Sequence, residues 1–551
     1  MLKYSEYEDR SVHLPAFISL GHTTARSCKI WARFPIAGTY HLIYRTTPFH
    51  FDSILFETTD LNAHFSEFER QHKLADHRGD NTVQFPLNDL QPDTQYYYAL
   101  FRELGSNKFE WVKGHHKHFH FKTDPEKATE IRFALFSCHD PEEGKFHDQA
   151  WTHFQHFLEN SPVHFLIGAG DQMYIDSKGS ENHNFNQFIR KNREAILAKH
   201  PIGSDSLKEF LLDAYRCNYR HYLNYKALQT VQSRFPSYVI WDDHEIIDGW
   251  GSHSEKYLAK KLGVHGNAQK VKQANQLGDA MFRAATLAYS EYQGAKNPEE
   301  GNDVGDDGEV GQIHYTFDKG FVSFFVMDMR SHRDWRQVNP DNDDELKKWI
   351  LGDVQHQDLQ YWLEEKFNDD ECEALFIVSP VPVYHWGEMV HIGHLIPSAK
   401  DDTKDEWDSK PNHFERDSFL NPIFDLSEEM RKPVIFLSGD VHSAAIFRLW
   451  RKDRPQANVF QMTCSGISRG AASFDTPISN KQINYSQYGS SKPPKDERVR
   501  AERLVFEEKN NFGFIRCEKI PGGVKINGQV ITYSPKSEEI EMVPAQNLNP
   551  Q

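Results

Sequence analysis

Tyr238-Val-Ile-Trp-Asp-Asp-His-Glu-Ile-Ile-Asp248 is the stretch whose reading decides the fold. Apolar and aromatic residues run straight into Asp242, Asp243, His244 and Glu245. A short apolar run that stops at a cluster of charge predicts a buried parallel strand that delivers ligands at its carboxyl end. Open α/β sheets bind ligands in the crevice outside such strand ends. Three more stretches share this shape: Phe133-Ala-Leu-Phe-Ser-Cys-His-Asp140, Phe165-Leu-Ile-Gly-Ala-Gly-Asp-Gln-Met-Tyr-Ile-Asp176 and Val434-Ile-Phe-Leu-Ser-Gly-Asp-Val-His442. Four strands that each end in Asp, His or Cys predict one shared metal site.

The composition narrows the partners. At 551 residues the chain exceeds what a single core supports, and two or more domains are expected. Hydrophobic residues at 38 % and aromatics at 13 % supply those cores and exclude global disorder. The formal net charge of −17 excludes long nucleic acid as a partner, because no excess of Lys and Arg is present to displace its counterions. A small phosphorylated substrate remains compatible, since a local cationic site can sit on an acidic protein. Six cysteines without a CxxC pair form neither a disulfide framework nor a zinc ribbon. Only Cys138 ends a strand beside His139 and Asp140. The first residues show no apolar signal core or twin arginine, and no run approaches 18 apolar residues. The expectation is a soluble, cytoplasmic protein with no membrane span; the sequence says nothing of oligomeric state.

Residues 1–124 read as all-β. Ser27-Cys-Lys-Ile-Trp-Ala-Arg-Phe34, Thr39-Tyr-His-Leu-Ile-Tyr-Arg45, Asn81-Thr-Val-Gln-Phe-Pro-Leu87 and His116-Lys-His-Phe-His-Phe-Lys122 alternate at period two. Leu90-Gln-Pro-Asp-Thr-Gln-Tyr-Tyr-Tyr98 resembles the tyrosine corner of fibronectin III and Ig-like sandwiches, so a β-sandwich is expected here. Residues 125–540 form the second predicted domain. Helical insertions are expected over 185–198, 207–229 and 254–293, and an acidic, Gly-rich solvated loop over 297–311. Strands follow at 311–317 and 321–328, then a helix at 344–367 and a buried strand at 374–379. Residues 386–420 read as a lid-like loop over a pocket, with His385, His391, His394 and His413 at the surface. Residues 458–463, 512–518 and 524–533 are predicted as strands of one second sheet.

A binuclear hydrolase needs one carboxylate that bridges two cations, with further ligands on each side. Asp171 follows a Gly-Ala-Gly turn directly after a strand, which lets its backbone approach the ions closely, and it is the expected bridge. Tyr174 lies three residues on and offers a phenolate oxygen, a good ligand for a ferric ion. Taken in order, Phe-Ser-Cys138, Gly170-Asp-Gln-Met-Tyr174, Trp241-Asp-Asp-His-Glu245, Asp328-Met-Arg-Ser-His-Arg333 and Ser438-Gly-Asp-Val-His442 resemble the alkaline phosphatase D (PhoD-like) family. Asp242-Asp-His-Glu-Ile-Ile-Asp-Gly-Trp-Gly251 is most similar to the subgroup with the Asp-Asp-His-(Asp/Glu)-Ile-x-Asp-Gly-Trp-Gly signature.

The resemblance implies an αββα metallophosphatase core behind the sandwich domain, and hydrolysis of phosphomonoesters, phosphodiesters or both. It implies that Cys138, Tyr174 and His442 bind a ferric ion, that Asp243 and Asp440 bind a divalent ion, and that Asp171 bridges them. His244 then protonates the leaving alkoxide or holds the substrate phosphate. Thiolate plus phenolate favours iron, and the oxygen-rich second site favours calcium or magnesium over zinc. Fe3+ with Ca2+ is therefore the expected pair, with Zn2+, Mg2+ or Mn2+ as alternatives. Arg330 is expected as a phosphate-binding catalytic residue or a brace for Asp328, because a guanidinium fork matches phosphate oxygens. Asp242, Glu245, Asp328, Arg333 and His139 are expected behind the ligands or against the substrate. Asp176 stands between a supporting role and a plain turn residue. The alternative function is a non-catalytic binding module on a degraded metallophosphatase core, whose signature would be loss of Asp171, Asp243, His244, Asp440 or His442; all five are present.

Overall fold

The computed structural model describes residues 15–51, 54–57, 68–105, 107–112, 119–144, 149–178, 184–385, 402–469, 499–534 and 539–550. The alternating stretches near the start form two antiparallel sheets. One pairs Phe17–Thr23, Cys28–Arg33 and Thr82–Leu87. The other holds Gly38–Arg45 between Glu69–Ala75 and Gln95–Gly105 and extends to Lys108–Trp111 and Phe119–Lys122. Leu20, Ile30 and Phe85 of the first meet Leu42, Tyr98 and Phe121 of the second in one core. At the predicted corner the Gln91 N–H donates to the Tyr96 hydroxyl at 2.9 Å.

The opening stretch is a strand, Ser237–Ile240, at the edge of a second pair of sheets. Ser237–Ile240, Phe165–Ala169 and Glu130–Phe136 run parallel, with Ala169 opposite Ile240 and Phe136 opposite Gly168, so all three stop at the same level. In the facing sheet Val322–Val326, Ala374–Val378, Val434–Ser438 and Arg454–Cys464 are parallel, and Val326, Val378 and Leu437 mark a common end. Period two sorts the side chains. Phe133, Leu135, Phe376, Val378, Ile435 and Leu437 point between the sheets. Their neighbours point outward: Ala134 and Phe136 onto the helices Gln149–Asn160 and Lys226–Gln232, and Leu375, Ile377 and Phe436 onto Gly352–Asn368 and His413–Met430. The result is a helix–sheet–sheet–helix stack, cored by rings such as Phe133, which meets Phe324 and Phe376 edge-on at 5.4 and 5.2 Å.

Several expectations change. Residues 458–463, 512–518 and 524–533 do not share a sheet. Arg454–Cys464 joins the facing sheet, whereas Asn510–Ile520 and Gly523–Tyr533 form a hairpin that extends the sheet of the opening strand, antiparallel to Glu130–Phe136. Alternation marks a strand but does not name its neighbour. The 344–367 helix breaks into Asp343–Leu346 and Gly352–Asn368, where Gly352 takes φ +73° and Glu415 accepts the N–H groups of Ile350 and Leu351 at 2.7 and 2.8 Å. The expected lid is not a loop where it is described. Residues 402–420 are helical turns and the start of His413–Met430, with Trp407, Asp408 and Arg416 buried. His413, expected at the surface, is buried with Nε2 at 2.6 Å from the Asp408 carbonyl oxygen. Residues 386–401, with His391 and His394, lie outside the described residues. The acidic loop also has a fixed end: Asn297 accepts from the Val239 N–H at 3.1 Å and donates to the Val239 carbonyl at 2.8 Å. Its amide thus caps the free edge of the opening strand.

The first and second pairs of sheets are joined by polar contacts. Lys319 donates to the Thr23 carbonyl and to Asp124, each at 2.6 Å, and Trp31 donates to the Glu291 carbonyl at 2.8 Å. All six cysteines are buried free thiols, and no helix among the described residues is long and apolar enough to cross a membrane.

The two sheets touch closely at Gly439. A Cβ there would lie 2.3 Å from the Ala169 carbonyl oxygen and 2.4 Å from Ser137 Oγ. Gly439→Ala is therefore expected to destabilise the protein by about 1–3 kcal/mol through overpacking, measured by denaturant unfolding. An unchanged midpoint would show that the strand ends have room to separate.

Candidate metal centre

Three of the four strands that end in candidate ligands turn sharply there. Cys138, Asp171, Asp440 and His442 all take left-handed backbone conformations, with φ of 56°, 55°, 66° and 53°. Such conformations are costly for residues other than glycine and concentrate where function demands them. The turns aim four side chains, with Tyr174, at one point. Asp171 Oδ2 lies 3.3 Å from the Cys138 sulfur and 3.0 Å from the Tyr174 hydroxyl, which is itself 3.3 Å from His442 Nε2. Three groups offer donor atoms within 4.8 Å of one another: Cys138, Asp171 and His442; Asp171, Asp243 and His244; and Asp171, Asp242, Asp243 and Asp440. Asp171 belongs to all three, the placement a bridging carboxylate needs.

The surroundings lock these groups. Glu245 closes a capping box on the turn after the opening strand: it accepts from the Asp242 N–H at 3.0 Å and from the Gln172 N–H at 2.6 Å, which ties two ligand loops together. Asp328 accepts from the Trp241 indole and from the Arg330 N–H, each at 3.0 Å. Ser465 Oγ accepts from the His442 N–H at 2.7 Å and lies 3.0 Å from the Cys138 sulfur. His244 Nδ1 is 2.7 Å from Asp176, whose other oxygen accepts from the Asp248 N–H at 2.7 Å. The His244 ring stacks on Tyr174 with centroids 4.0 Å apart.

Electrostatics tests whether cations belong here. Burial raises the Asp171 carboxyl to about 6 and Asp242 to about 7, and pushes Asp440 well above the carboxylate range with help from Asp242, Glu406 and Asp243. Burial and the Asp171 charge also push the Cys138 thiol and the Tyr174 phenol well up. Burial works against the His244 imidazolium, but Asp176, Asp243 and Asp171 outweigh it and raise the ring well above its usual value. Asp171 Oδ1, Asp242 Oδ2 and Asp243 Oδ1 are buried without a hydrogen-bond donor among the described residues. Acids crowded at this spacing, with orphaned oxygens and one thiol, fit a pair of cations.

The structure brings Cys138, Asp171, Tyr174, Asp242, Asp243, His244, Asp440 and His442 together. It places others elsewhere. Arg330 is fully buried behind the carboxylates rather than facing a substrate. Its side chain bonds to Asp242 and to the Trp250 carbonyl at 3.0 Å and lies 3.3 Å from Asp405. The expected brace on Asp328 runs through the Arg330 backbone, not its guanidinium. Arg333 is buried against the Asp405 carbonyl at 2.7 Å. His139 turns away from the site: it accepts from the Trp151 indole at 3.1 Å, lies 3.3 Å from the Tyr222 carbonyl, and burial depresses it to about 3. It is a neutral core residue. Asp405, Ser465 and Arg469 were not singled out from sequence. None follows an apolar run into charge, and only the turn Cys464-Ser-Gly-Ile-Ser-Arg469 after a strand hints at the last two.

The PhoD-like phosphatase family profile matches residues 133–527, well over half of the chain, and the chain belongs to that family. Alkaline phosphatase D of Bacillus subtilis is 22 % identical over 468 residues, which cover 82 % of this chain and 67 % of that protein. The uncharacterized protein YGR266W of Saccharomyces cerevisiae is 21 % identical over 415 residues, 67 % of this chain and 58 % of that one. The chain thus spans about three fifths to two thirds of these curated relatives. A solved structure described as that of PhoD matches with a TM-score of 0.62 at 17 % identity, covering 98 % of this chain and 90 % of the other; at that identity the likeness is one of fold.

A cation held by Cys138 and Tyr174 would displace the protons that burial favours on them. Affinity for the cations is therefore expected to rise with pH, and calorimetry near neutral pH in buffers of different ionisation enthalpy should show at least these two protons released. Binding with no net release would remove the thiolate and phenolate from the ligand set.

Proposed function

We propose that this chain is a metal-dependent hydrolase of small phosphate esters, with a catalytic domain at residues 125–540 behind a fibronectin III or Ig-like sandwich at 1–124. The observation that carries this reading is Asp171, which belongs to all three donor groups at the meeting point of two sheets. Cys138, Tyr174 and His442 are the proposed ligands of one cation, Asp243 and Asp440 of the other, with Asp171 between them. The thiol and phenol favour iron in the first site, and the carboxylates favour calcium in the second. When bound, such a pair supplies Lewis-acid activation of water and neutralises charge developing at phosphorus.

The protein's own groups do the rest. His244, held by Asp176 at 2.7 Å, whose charge favours the imidazolium, donates a proton to the leaving alkoxide. Arg330 holds Asp242 and offsets part of the negative charge from behind. Glu245 keeps the Asp171 and Asp242 loops in register through its two backbone acceptances. Asp440, His442 and His244, which are less buried than Asp171 and Asp242, mark the open side, where an ester can enter.

Hydrolysis of p-nitrophenyl phosphate or bis(p-nitrophenyl) phosphate by protein loaded with iron and calcium tests the reading, and no turnover of either by protein shown to carry metal would sink it. Asp171→Asn is expected to lower kcat by about 100- to 1000-fold, the scale of losing a group that organises charge at the reacting centre. Elemental analysis of protein purified without chelators should find iron, and Tyr174→Phe should bleach or shift a visible charge-transfer band. Colourless, iron-free, active protein would refute that metal assignment. Asp176→Asn removes the main support of the His244 imidazolium. A general acid loses activity as pH rises through its pKa, so the basic limb of the kcat profile should move to lower pH; an unmoved limb would exclude His244 as the acid.

A further inference from the structure

We infer that Arg469 is a specificity-determining residue that binds the dianionic phosphoryl group of a monoester and makes this site prefer small phosphomonoesters over diesters. This rests on the hydrolase reading above and goes beyond it, since the ligand set serves both ester classes equally.

Arg469 sits on a built turn. Residues 465–469 follow the strand Arg454–Cys464 and bind back to the Cys138 loop: the Ile467 N–H donates to the Ser137 carbonyl at 3.0 Å, and the Ser468 N–H to the Cys138 carbonyl at 3.4 Å. From the other side Asn510 and Asn511 donate their side-chain amides to the carbonyls of Gly466 and Ser465, at 2.9 and 2.6 Å. Gly466, at φ +89°, lets the Arg469 carbonyl oxygen pass where a Cβ would be only 2.2 Å away. The turn is thus fixed by the same backbone that presents Cys138. It puts the Arg469 guanidinium over the Tyr174 ring, 4.9 Å from its centroid.

Charge divides across the site. Its floor is the buried Asp171, Asp242 and Asp243. Arg469 and His244 lie instead against the Tyr174 ring, at 4.9 and 4.0 Å from its centroid. On a protein with net charge −17 this is a local reversal of sign, and once cations occupy the floor the whole mouth attracts anions. Arg330 and Arg333 cannot serve there, because both are buried behind the site against Asp242 and Asp405. A monoester carries three terminal oxygens and two negative charges, so anionic oxygen remains for a guanidinium fork after the floor is engaged. In a diester that third oxygen is esterified and the net charge is one, so the same guanidinium meets a substituent.

The test compares wild type, Arg469→Gln and Arg469→Lys, all shown to bind equal metal. Arg469→Gln is expected to lower the ratio of monoester to diester kcat/KM by about 30-fold, the scale of a charged hydrogen bond, with Arg469→Lys restoring part of it. Orthophosphate binding to the metal-loaded proteins, by calorimetry, is expected to weaken about tenfold or more in Arg469→Gln. A parallel fall for both substrates, an unchanged orthophosphate affinity, or a wild type that prefers the diester would overturn the inference and leave the hydrolase reading intact. A wild type that turns over neither ester would fail that reading, while the orthophosphate titration still decides whether Arg469 binds the anion.

Discussion

Four carboxylates that crowd one point are the constraint on which the rest of this structure depends. Asp171, Asp242, Asp243 and Asp440 each bring an oxygen within 4.8 Å of the others. Two full charges at that spacing repel by roughly 3 kcal/mol at an effective dielectric of 20. Arg330, buried against Asp242, offsets part of this, and protons held by buried acids offset more. The proposed cations would remove the remainder and let acids that burial disfavours be retained together.

The scaffold answers this constraint with backbone rather than with side chains alone. The Gly170 N–H donates to the Ile240 carbonyl, the His139 N–H to the Asp171 carbonyl, and the Gly439 N–H to the Pro380 carbonyl, at 3.1, 2.8 and 2.8 Å. The ligand loops therefore bind one another directly. The left-handed turns at Cys138, Asp171, Asp440 and His442 are held by this network and by two sheets too close at Gly439 to admit a methyl group. Local strain at those four residues is offset by the large aromatic core beneath them.

Roles divide by depth. The deepest groups, Arg330, Asp328 and Glu245, orient and compensate. Those at the level of the strand ends are suited to hold cations. Those at the opening, His244 and Arg469, face whatever enters. Stacking joins the last two levels, because Tyr174 carries His244 and Arg469 against its ring. A change at Tyr174 therefore reaches both His244 and Arg469.

The cluster of strand-end side chains was legible in the sequence because its signal is local: a run such as Phe165-Leu-Ile-Gly-Ala before Gly170 and Asp171 states burial, direction and end point together. The same holds for Cys138, Asp243 and Asp440. Sheet membership was not legible, as residues 458–463 and 512–518 show, because alternation is the same whichever strand lies alongside. Nor was side-chain direction beyond the strand. His139 and Cys138 are adjacent, yet one faces the Trp151 indole and the other Asp171. Arg330 read as a phosphate-binding residue or a brace for Asp328 and lies buried in an ion pair with Asp242, while Arg469 carried no local mark. The sequence by itself determined which residues stand at strand ends, since apolar runs and turns are short-range; only tertiary structure decided which of them face one another, since that depends on charges and backbones brought together from hundreds of residues apart.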